Sequence, residues 1–346
     1  MMFGKEAQQV QLRAIDVGYG AVKAMSDEKR LEFPSVISQF KPVRFTTGMN
    51  AKEPLERLCV DYNGNKFFLG DIAFKQGTAQ VNMSSSRFTE AEGLALLFAA
   101  LAVLAEGNNE TVNLITGLPV SDYADKKEAY QKALQGRHEV KLLSPDGKVL
   151  EVYRFTVNNV KILPQPAGTF FNRILDKNGN LTDRFLATSN VGILDIGHNT
   201  LDLARFDKLD FIDDESESFS DLGLFEAHKA LSRELKSALG AEIRPTELEQ
   251  YVRSGVIPFK GTLQSIIKER KKVYEEQAEK IVSRALNVWR DTWQLTRIFV
   301  TGGGASPMGS YMIKHFADPR QVEVCGNSTF TNVDGYLRYG KRIYRS

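Results

Sequence analysis

Apolar positions along this chain follow two periods. Short apolar and β-branched runs bounded by glycine or proline read as strands, and longer stretches with apolar residues three or four apart read as helices. Residues 12–37 predict strands, with Gly18 and Gly20 making a hairpin turn and Phe33-Pro34-Ser35-Val36 a further extended piece. Phe67-Phe68-Leu69-Gly70-Asp71 reads as a strand ending in a turn, and residues 89–106 as a long helix opened by a Thr89 cap with Glu92 three residues on. Residues 112–119 predict a buried strand ended by Gly117 and Pro119, and residues 122–135 return to helical spacing. A short helix is expected over residues 169–175 and a strand, turn and strand over 191–206. Helices follow over 225–239 and 263–293, then a strand over 297–300 running into Thr301-Gly302-Gly303-Gly304. A last helix over 332–344 is expected to cross back to the first domain, while residues 40–56 show neither period. Strands that lead through helices to further strands predict an α/β class with a mixed sheet.

The length of 346 residues predicts two domains of similar size. The crossing is placed near Gln165, where Pro164 and Pro166 stiffen the chain, giving 1–165 with 335–346 as one domain and 166–334 as the other. With 42% hydrophobic and 25% charged residues the composition is that of an ordinary globular protein, and a net charge of +2 provides no field for a polyanion, so nucleic acid is not an expected direct ligand. Cys59 and Cys325 have no metal-ligand spacing and argue against a disulfide scaffold, which points to the cytoplasm. The longest apolar stretch, residues 94–105, falls short of the roughly 20 residues that span a bilayer, so no membrane partner is expected. The first residues lack the apolar core of a signal peptide.

Against this background two segments stand out: Asp16-Val17-Gly18-Tyr19-Gly20-Ala21-Val22-Lys23 and Asp195-Ile196-Gly197-His198-Asn199-Thr200-Leu201-Asp202, 179 positions apart (195 minus 16). Each follows apolar residues able to form a buried strand and loses bulk at a glycine before apolar character resumes. A glycine turn lets the main chain approach a polyphosphate and present N–H groups to it, and an aspartate at the strand end can hold a hydrated cation. Other phosphate motifs are absent from the sequence. Gly4-Lys5, Gly147-Lys148 and Gly340-Lys341 are followed by Glu6, Val149 and Arg342, so no Walker A loop exists. Gly18-Tyr19-Gly20 leads into another strand rather than a helix, which disfavours a dinucleotide fingerprint. The four histidines are scattered, and only His198, inside a turn, has a plausible site position.

Taken in order, Asp16 to Lys23, Leu163-Pro164-Gln165-Pro166-Ala167-Gly168, Asp195 to Asp202 and Val300-Thr301-Gly302-Gly303-Gly304-Ala305 make the chain resemble the actin and Hsp70 ATPase superfamily. The correspondence is to its phosphate-1, connect-1, phosphate-2 and adenosine elements. Leu69-Gly70-Asp71-Ile72-Ala73, Thr116-Gly117-Leu118-Pro119 and the compact length are similar to the prokaryotic ParM/StbA plasmid-segregation proteins and small archaeal actin relatives. The resemblance implies an actin-like (Hsp70/ribonuclease H-like) duplicated two-lobed ATPase fold, with Mg-ATP in a nucleotide cleft. By motif position, Asp16 and Asp195 would hold Mg2+ through water, Lys23 would neutralise β- and γ-phosphate charge, and Gly18, Tyr19 and Gly20 would donate main-chain N–H groups. Gly197, His198, Asn199 and Thr200 would bind phosphate from the second lobe with support from Asp202. Gly302, Gly303 and Gly304 would pass close to adenine and ribose, where a Cβ would collide with the nucleotide. Gln165, a neutral amide and a poor base, would orient the water that attacks the γ-phosphate.

The function this implies is a filament-forming, slow ATPase whose subunits polymerise with ATP, hydrolyse it in the filament and fall apart as ADP accumulates. Its partners would be further copies of itself and a DNA-binding adaptor that links the filament to a plasmid. GTP in place of ATP, a small-molecule kinase of the same superfamily, and a non-polymerising nucleotide switch are the alternatives. Residues 40–56 and the Leu142-Leu143-Ser144-Pro145-Asp146-Gly147 turn are candidates for filament contacts or plain loops.

Overall fold

The computed structural model describes residues 10–44, 54–77, 85–240 and 242–344. The chain divides into two compact units, residues 1–182 with 332–346 and residues 183–331.

Unit 1 opens with β1 (Val10–Val17), β2 (Ala21–Met25), β3 (Arg30–Pro34), β4 (Ile37–Gln39), β5 (Cys59–Tyr62) and β6 (Asn65–Leu69). Two helices follow, α1 (Asp71–Gln76) and α2 (Ala91–Leu104), then β7 (Asn109–Leu118), α3 (Val120–Leu134), the hairpin β8 (Gly136–Leu143) and β9 (Val149–Pro164), and α4 (Ala167–Ile174). The strands make one nine-stranded sheet in the order β3-β2-β1-β7-β9-β8-β5-β6-β4. It is mixed, as expected: β7 runs parallel to both β1 and β9, while β1, β2 and β3 form an antiparallel meander. α2 is apolar on every side because it is buried on nearly every side, with Leu97, Phe98, Leu101 and Leu104 in the core beneath the sheet. Its expected Thr89 cap is not formed. The N-cap is Glu90, which makes no side-chain cap, and the Thr89 hydroxyl donates instead to the Ser86 carbonyl at 3.2 Å.

Unit 2 contains α5 (Arg184–Ala187), β10 (Asn190–Ile196), β11 (Leu201–Asp207), β12 (Asp210–Phe211), β13 (Glu217–Phe219), α6 (Leu224–Leu239) and α7 (Pro245–Val252). It continues with β14 (Val256–Phe259), β15 (Thr262–Ser265), α8 (Ile267–Val288), β16 (Arg297–Thr301), α9 (Ala305–Met312) and β17 (Val322–Val324). Its main sheet runs β12-β11-β10-β16-β17, with β13 also on β11. β10 lies between an antiparallel and a parallel neighbour and is buried along almost its whole length, which explains why it reads as a continuous apolar run. The helix expected over 263–293 is shorter at both ends. Leu263 belongs to a hairpin turning at Lys260 and Gly261, both with positive φ, and is 72% exposed. At the other end Trp289 leaves the helix to pack on Gly192, where a Cβ would sit 2.9 Å from the indole.

The chain ends in α10 (Thr331–Ile343), which returns to unit 1. Where the sequence placed the crossings at 165/166 and 334/335, the compact units divide after Thr182 and after Thr331. The reason is a tight seam between α4 and α10. The Thr169 N–H and hydroxyl both donate to Asn332 Oδ1, at 3.1 and 2.7 Å, and a Cβ on Gly335 would lie 1.7 Å from the Gly168 carbonyl oxygen. Of the proposed contact loops, residues 45–53 lie outside the described residues. The Ser144–Gly147 turn closes on itself, with the Ser144 N–H bonded to the Lys148 carbonyl at 2.8 Å. Among the described residues no helix is long and apolar enough to cross a membrane, and residues 94–105 lie within or directly after α2.

Candidate functional site

The turn between β1 and β2 is built by local chemistry. The Gly18 N–H donates to the Ala21 carbonyl at 3.1 Å, and a Cβ on Gly18 would stand 2.9 Å from that oxygen, so the turn closes only around glycine. Asp16 lies directly across from Lys23 in the antiparallel register, which puts a carboxylate and an ammonium on the same face of the sheet. Asp16 is buried, and burial pushes its carboxyl above the usual range. The Lys23 charge, a hydrogen bond from Gln165 and the Arg87 charge pull it back. A buried carboxylate held up by desolvation is a group that a cation would return to its charged form.

Gln165, at the end of β9, is fixed on several sides. Its N–H donates to the Leu118 carbonyl at 2.8 Å and its own carbonyl accepts from the Tyr336 hydroxyl at 3.2 Å. Its side-chain Nε2 donates to Asp16 Oδ1 at 2.9 Å, which leaves Oε1 as the acceptor on the far end of the amide. The structure thus joins Asp16, Lys23 and Gln165, residues separated by up to 149 positions, in one half-site.

In unit 2 the turn between β10 and β11 repeats this design at the same offsets. Asp195 faces Asp202 as Asp16 faces Lys23, and the Gly197 N–H donates to the Thr200 carbonyl at 2.8 Å as Gly18 does to Ala21. The cross-strand partner here is a carboxylate in place of the lysine, held by hydroxyls: Asp202 accepts from Thr200 Oγ1 at 3.1 Å and from the Ser218 hydroxyl. The turn rests on the start of α6, whose Leu224 and Phe225 N–H groups donate to the Gly197 and His198 carbonyls at 3.1 and 2.7 Å. Asn199 is buried there, and a Cβ on Gly223 would meet its carbonyl carbon at 2.3 Å. The His198 ring packs tilted on Phe225 at 5.4 Å, and burial lowers its pKa against the opposing charge of Glu249.

The three glycines after β16 lie against the same turn. The Gly304 N–H donates to the Ile196 carbonyl at 2.9 Å. Gly302 has a φ of 85°, and a Cβ on it would stand 2.4 Å from Asp195 Oδ1, while one on Gly304 would stand 2.4 Å from Ile196 Cγ2. The protein's own packing therefore already requires glycine at these two positions. Gly303 alone opens onto free space, with no atom within 4 Å of its would-be Cβ.

Among the described residues no three His, Cys, Asp or Glu side chains gather as a direct metal shell. Asp16 and Asp195 each end a buried strand, a chemistry that fits a cation held through its own water rather than by a protein cage. A cavity of about 1120 Å³ in unit 2, lined by residues that include Glu217, Arg233, Glu276 and Arg284, contains none of the turn residues. One residue at the first turn escaped the sequence pattern. Arg87 donates from Nη2 to the Val17 carbonyl at 2.6 Å and from Nη1 to the Gly18 carbonyl at 3.5 Å, and its guanidinium lies 3.9 Å from the Tyr19 ring centroid. Seventy positions separate Arg87 from Val17, and no local spacing signals the contact.

Residues 14–168 match the family described as actin like proteins N terminal domain, and residues 193–314 match archaeal actin homologue MreB-like, C-terminal. Among solved structures, Ta0583, an archaeal actin homologue, superposes with a TM-score of 0.80 at 21% identity, covering 96% of this chain and 100% of that one. Its complex with ADP gives a TM-score of 0.77 at 21% identity over the same shares of each chain. The subunit of a 15-stranded ParM filament from Clostridium botulinum gives 0.76 at 24% identity, covering 96% and 99%. No curated protein matches the chain.

Proposed function

From its membership of the actin-like proteins, we propose that this chain is a filament-forming ATPase of the ParM kind that hydrolyses ATP within the polymer. The observation that carries the reading is the repetition of one turn at identical offsets in both units: aspartate, glycine two residues on, and a cross-strand partner seven residues on. The 15-stranded ParM filament supports self-association, and the ADP complex of Ta0583 supports an adenine nucleotide as the ligand.

In this reading Gly18, Tyr19 and Gly20 bind phosphate from unit 1, and Gly197, His198, Asn199 and Thr200 bind it from unit 2. Lys23 balances charge on the β- and γ-phosphates, and Asp202 supports the second turn. Asp16 and Asp195 would hold Mg2+ through water, and the ion would supply neutralisation of the charge that develops on the phosphates. Gln165, locked to Asp16 through Nε2, presents Oε1 as an acceptor that orients water for in-line attack. The glycines from Gly302 to Gly304 give the adenosine end its place, with Gly303 nearest the open side. Nucleotide controls assembly by differing affinity for the two states of the subunit, and head-to-tail contacts whose rotation does not close extend as filaments. The cargo is a plasmid, reached through a DNA-binding adaptor, in keeping with a net charge of only +2.

Light scattering and high-speed pelleting with Mg-ATP, Mg-GTP, Mg-ADP or no nucleotide, alongside phosphate release, test the reading. Assembly with ATP that decays as phosphate appears, and is lost in Asp195→Ala, is the expected result. Nucleotide binding without assembly would replace it with a kinase or a switch.

A further inference from the structure

The two turns differ in what holds their carbonyls, and the difference isolates Arg87. In unit 2 the carbonyls of Ile196 and Gly197 accept main-chain N–H groups from Gly304 and Leu224, at 2.9 and 3.1 Å. At the equivalent places in unit 1 the Val17 and Gly18 carbonyls accept from one side chain, Arg87, at 2.6 and 3.5 Å. Arg87 is 4% exposed, and its guanidinium carbon lies over the ring of Tyr19, a residue of the turn itself, 3.9 Å from the centroid. Its backbone is fixed as well, since a Cβ on Gly93 of α2 would come 1.9 Å from the Arg87 carbonyl oxygen.

We infer that Arg87 is the positioning residue of the first turn, its fork replacing the main-chain donors that hold the second, so that the turn presents N–H groups rather than carbonyls to an anion. In a trans peptide the C=O and N–H point in opposite directions. Holding the Gly18 carbonyl on Arg87 therefore turns the Tyr19 N–H away from the arginine, while the Gly18 N–H is already committed to Ala21. A released carbonyl would be free to rotate its negative end toward the phosphate. Lysine could carry the charge but not the planar fork that reaches both the Val17 and Gly18 carbonyls, so the role is specific to arginine. Arg87 is distinct from the residues proposed to touch nucleotide, and acts on phosphate through the turn.

The inference rests on the reading of the first turn as a phosphate site, and the experiment separates the two. Binding of Mg-ATP, Mg-ADP and adenosine to the full chain is measured by calorimetry for wild type, Arg87→Met, Arg87→Lys and Tyr19→Leu, with the melting temperature of each. Arg87→Met is expected to weaken both phosphorylated nucleotides by about tenfold or more, the size of a lost charge-assisted hydrogen bond, while leaving adenosine unchanged. Arg87→Lys is expected not to restore the loss. Wild-type nucleotide affinity in Arg87→Met, or an equal loss of adenosine, would overturn the positioning role. Should Arg87→Met not fold, Tyr19→Leu removes the stacking face and leaves the arginine in place. Its phosphate-dependent affinity must fall, and an unchanged value overturns the inference. A wild-type chain that binds no nucleotide with Mg2+ overturns the phosphate reading of the turn, and the inference with it.

Discussion

Alanine at Gly302 and alanine at Gly303, neighbours in one turn, should separate what folding requires from what a nucleotide requires. At Gly302 the φ of 85° and a Cβ only 2.4 Å from both Asp195 Oδ1 and the Ile196 carbonyl oxygen act together. The left-handed backbone costs an alanine about 1–2 kcal/mol, and crowding against the main-chain Ile196 carbonyl adds about 1–3 kcal/mol. The stiffer unfolded chain returns roughly 0.4–1 kcal/mol. The net loss is about 3 kcal/mol, a fall in melting temperature of about 4 °C at roughly 2.1 cal/mol/K of unfolding entropy per residue over the whole chain. Gly303 has no positive φ and nothing within 4 Å, so Gly303→Ala should melt within about 0.5 kcal/mol of wild type. With nucleotide passing over it, the same methyl should weaken Mg-ADP binding by about tenfold, the equivalent of about 1.4 kcal/mol of lost contact. Scanning calorimetry without nucleotide and titration with Mg-ADP read the two effects separately. Wild-type stability in Gly302→Ala would refute the packing account, and undiminished Mg-ADP affinity in Gly303→Ala would refute the placement of the nucleotide.

Three further outcomes follow from the same geometry. Asp16 has a raised pKa in the folded chain, chiefly from burial, so its contribution to stability is complete below the unfolded value of 3.8 and is lost as pH rises through the folded value. Asp16→Asn should therefore melt higher than wild type at neutral pH, with the gap closing in acid, and should release no phosphate from Mg-ATP. A neutral-pH melting temperature below wild type would contradict this. His228 is buried with no hydrogen-bond partner at either ring nitrogen, and burial first, then the charge of His198, lowers it from 6.5 to about 4. The stability it supports is full above 6.5 and lost as pH falls toward 4, so denaturant titrations of His228→Leu should lack a loss of about 3 kcal/mol that wild type shows over that window. Gly335→Ala and Gly340→Ala gain the same helix propensity of about 1 kcal/mol, but the first drives a Cβ to 1.7 Å from a carbonyl oxygen and the second meets only side-chain atoms of Leu12 and Ile115, at 2.8 Å or more. Gly335→Ala should unfold at lower denaturant than Gly340→Ala, and the reverse order would show that the α4–α10 seam yields.

What was legible in the sequence was what is local. Asp16, Gly18 and Lys23 lie within eight residues of one another, and so do Asp195, Gly197 and Asp202, so a strand-turn-strand repeat and its glycines could be read without a fold. The apolar runs of β7, β10, β16 and α2 were legible for the same reason, because a strand buried on both faces or a helix buried all round declares itself in composition. Sheet order was not, since pairing β7 with both β1 and β9 depends on residues up to about a hundred positions apart. The β14–β15 hairpin was missed because its turn, at Lys260 and Gly261, is short and its Leu263 points an apolar side chain outward, against the usual rule. Gln165 was placed by its prolines, but its bond to Asp16 was not visible from either end. Arg87 carried no signal at all, being held by a turn seventy residues earlier.

The return of α10 to unit 1 makes the order of synthesis matter. Residues 183–331, the whole of unit 2, are synthesised before the helix that finishes unit 1. Unit 2 is one continuous stretch with its own core, whereas unit 1 needs segments from both sides of it, and domains generally fold as units. Until Tyr336 arrives, the Gln165 carbonyl lacks its hydroxyl donor, and until Asn332 arrives, Thr169 lacks its acceptor. The residue proposed to aim the attacking water is thus secured by a helix made only after the whole of unit 2. The connectivity of the chain ties completion of the first half-site to segments made on either side of unit 2.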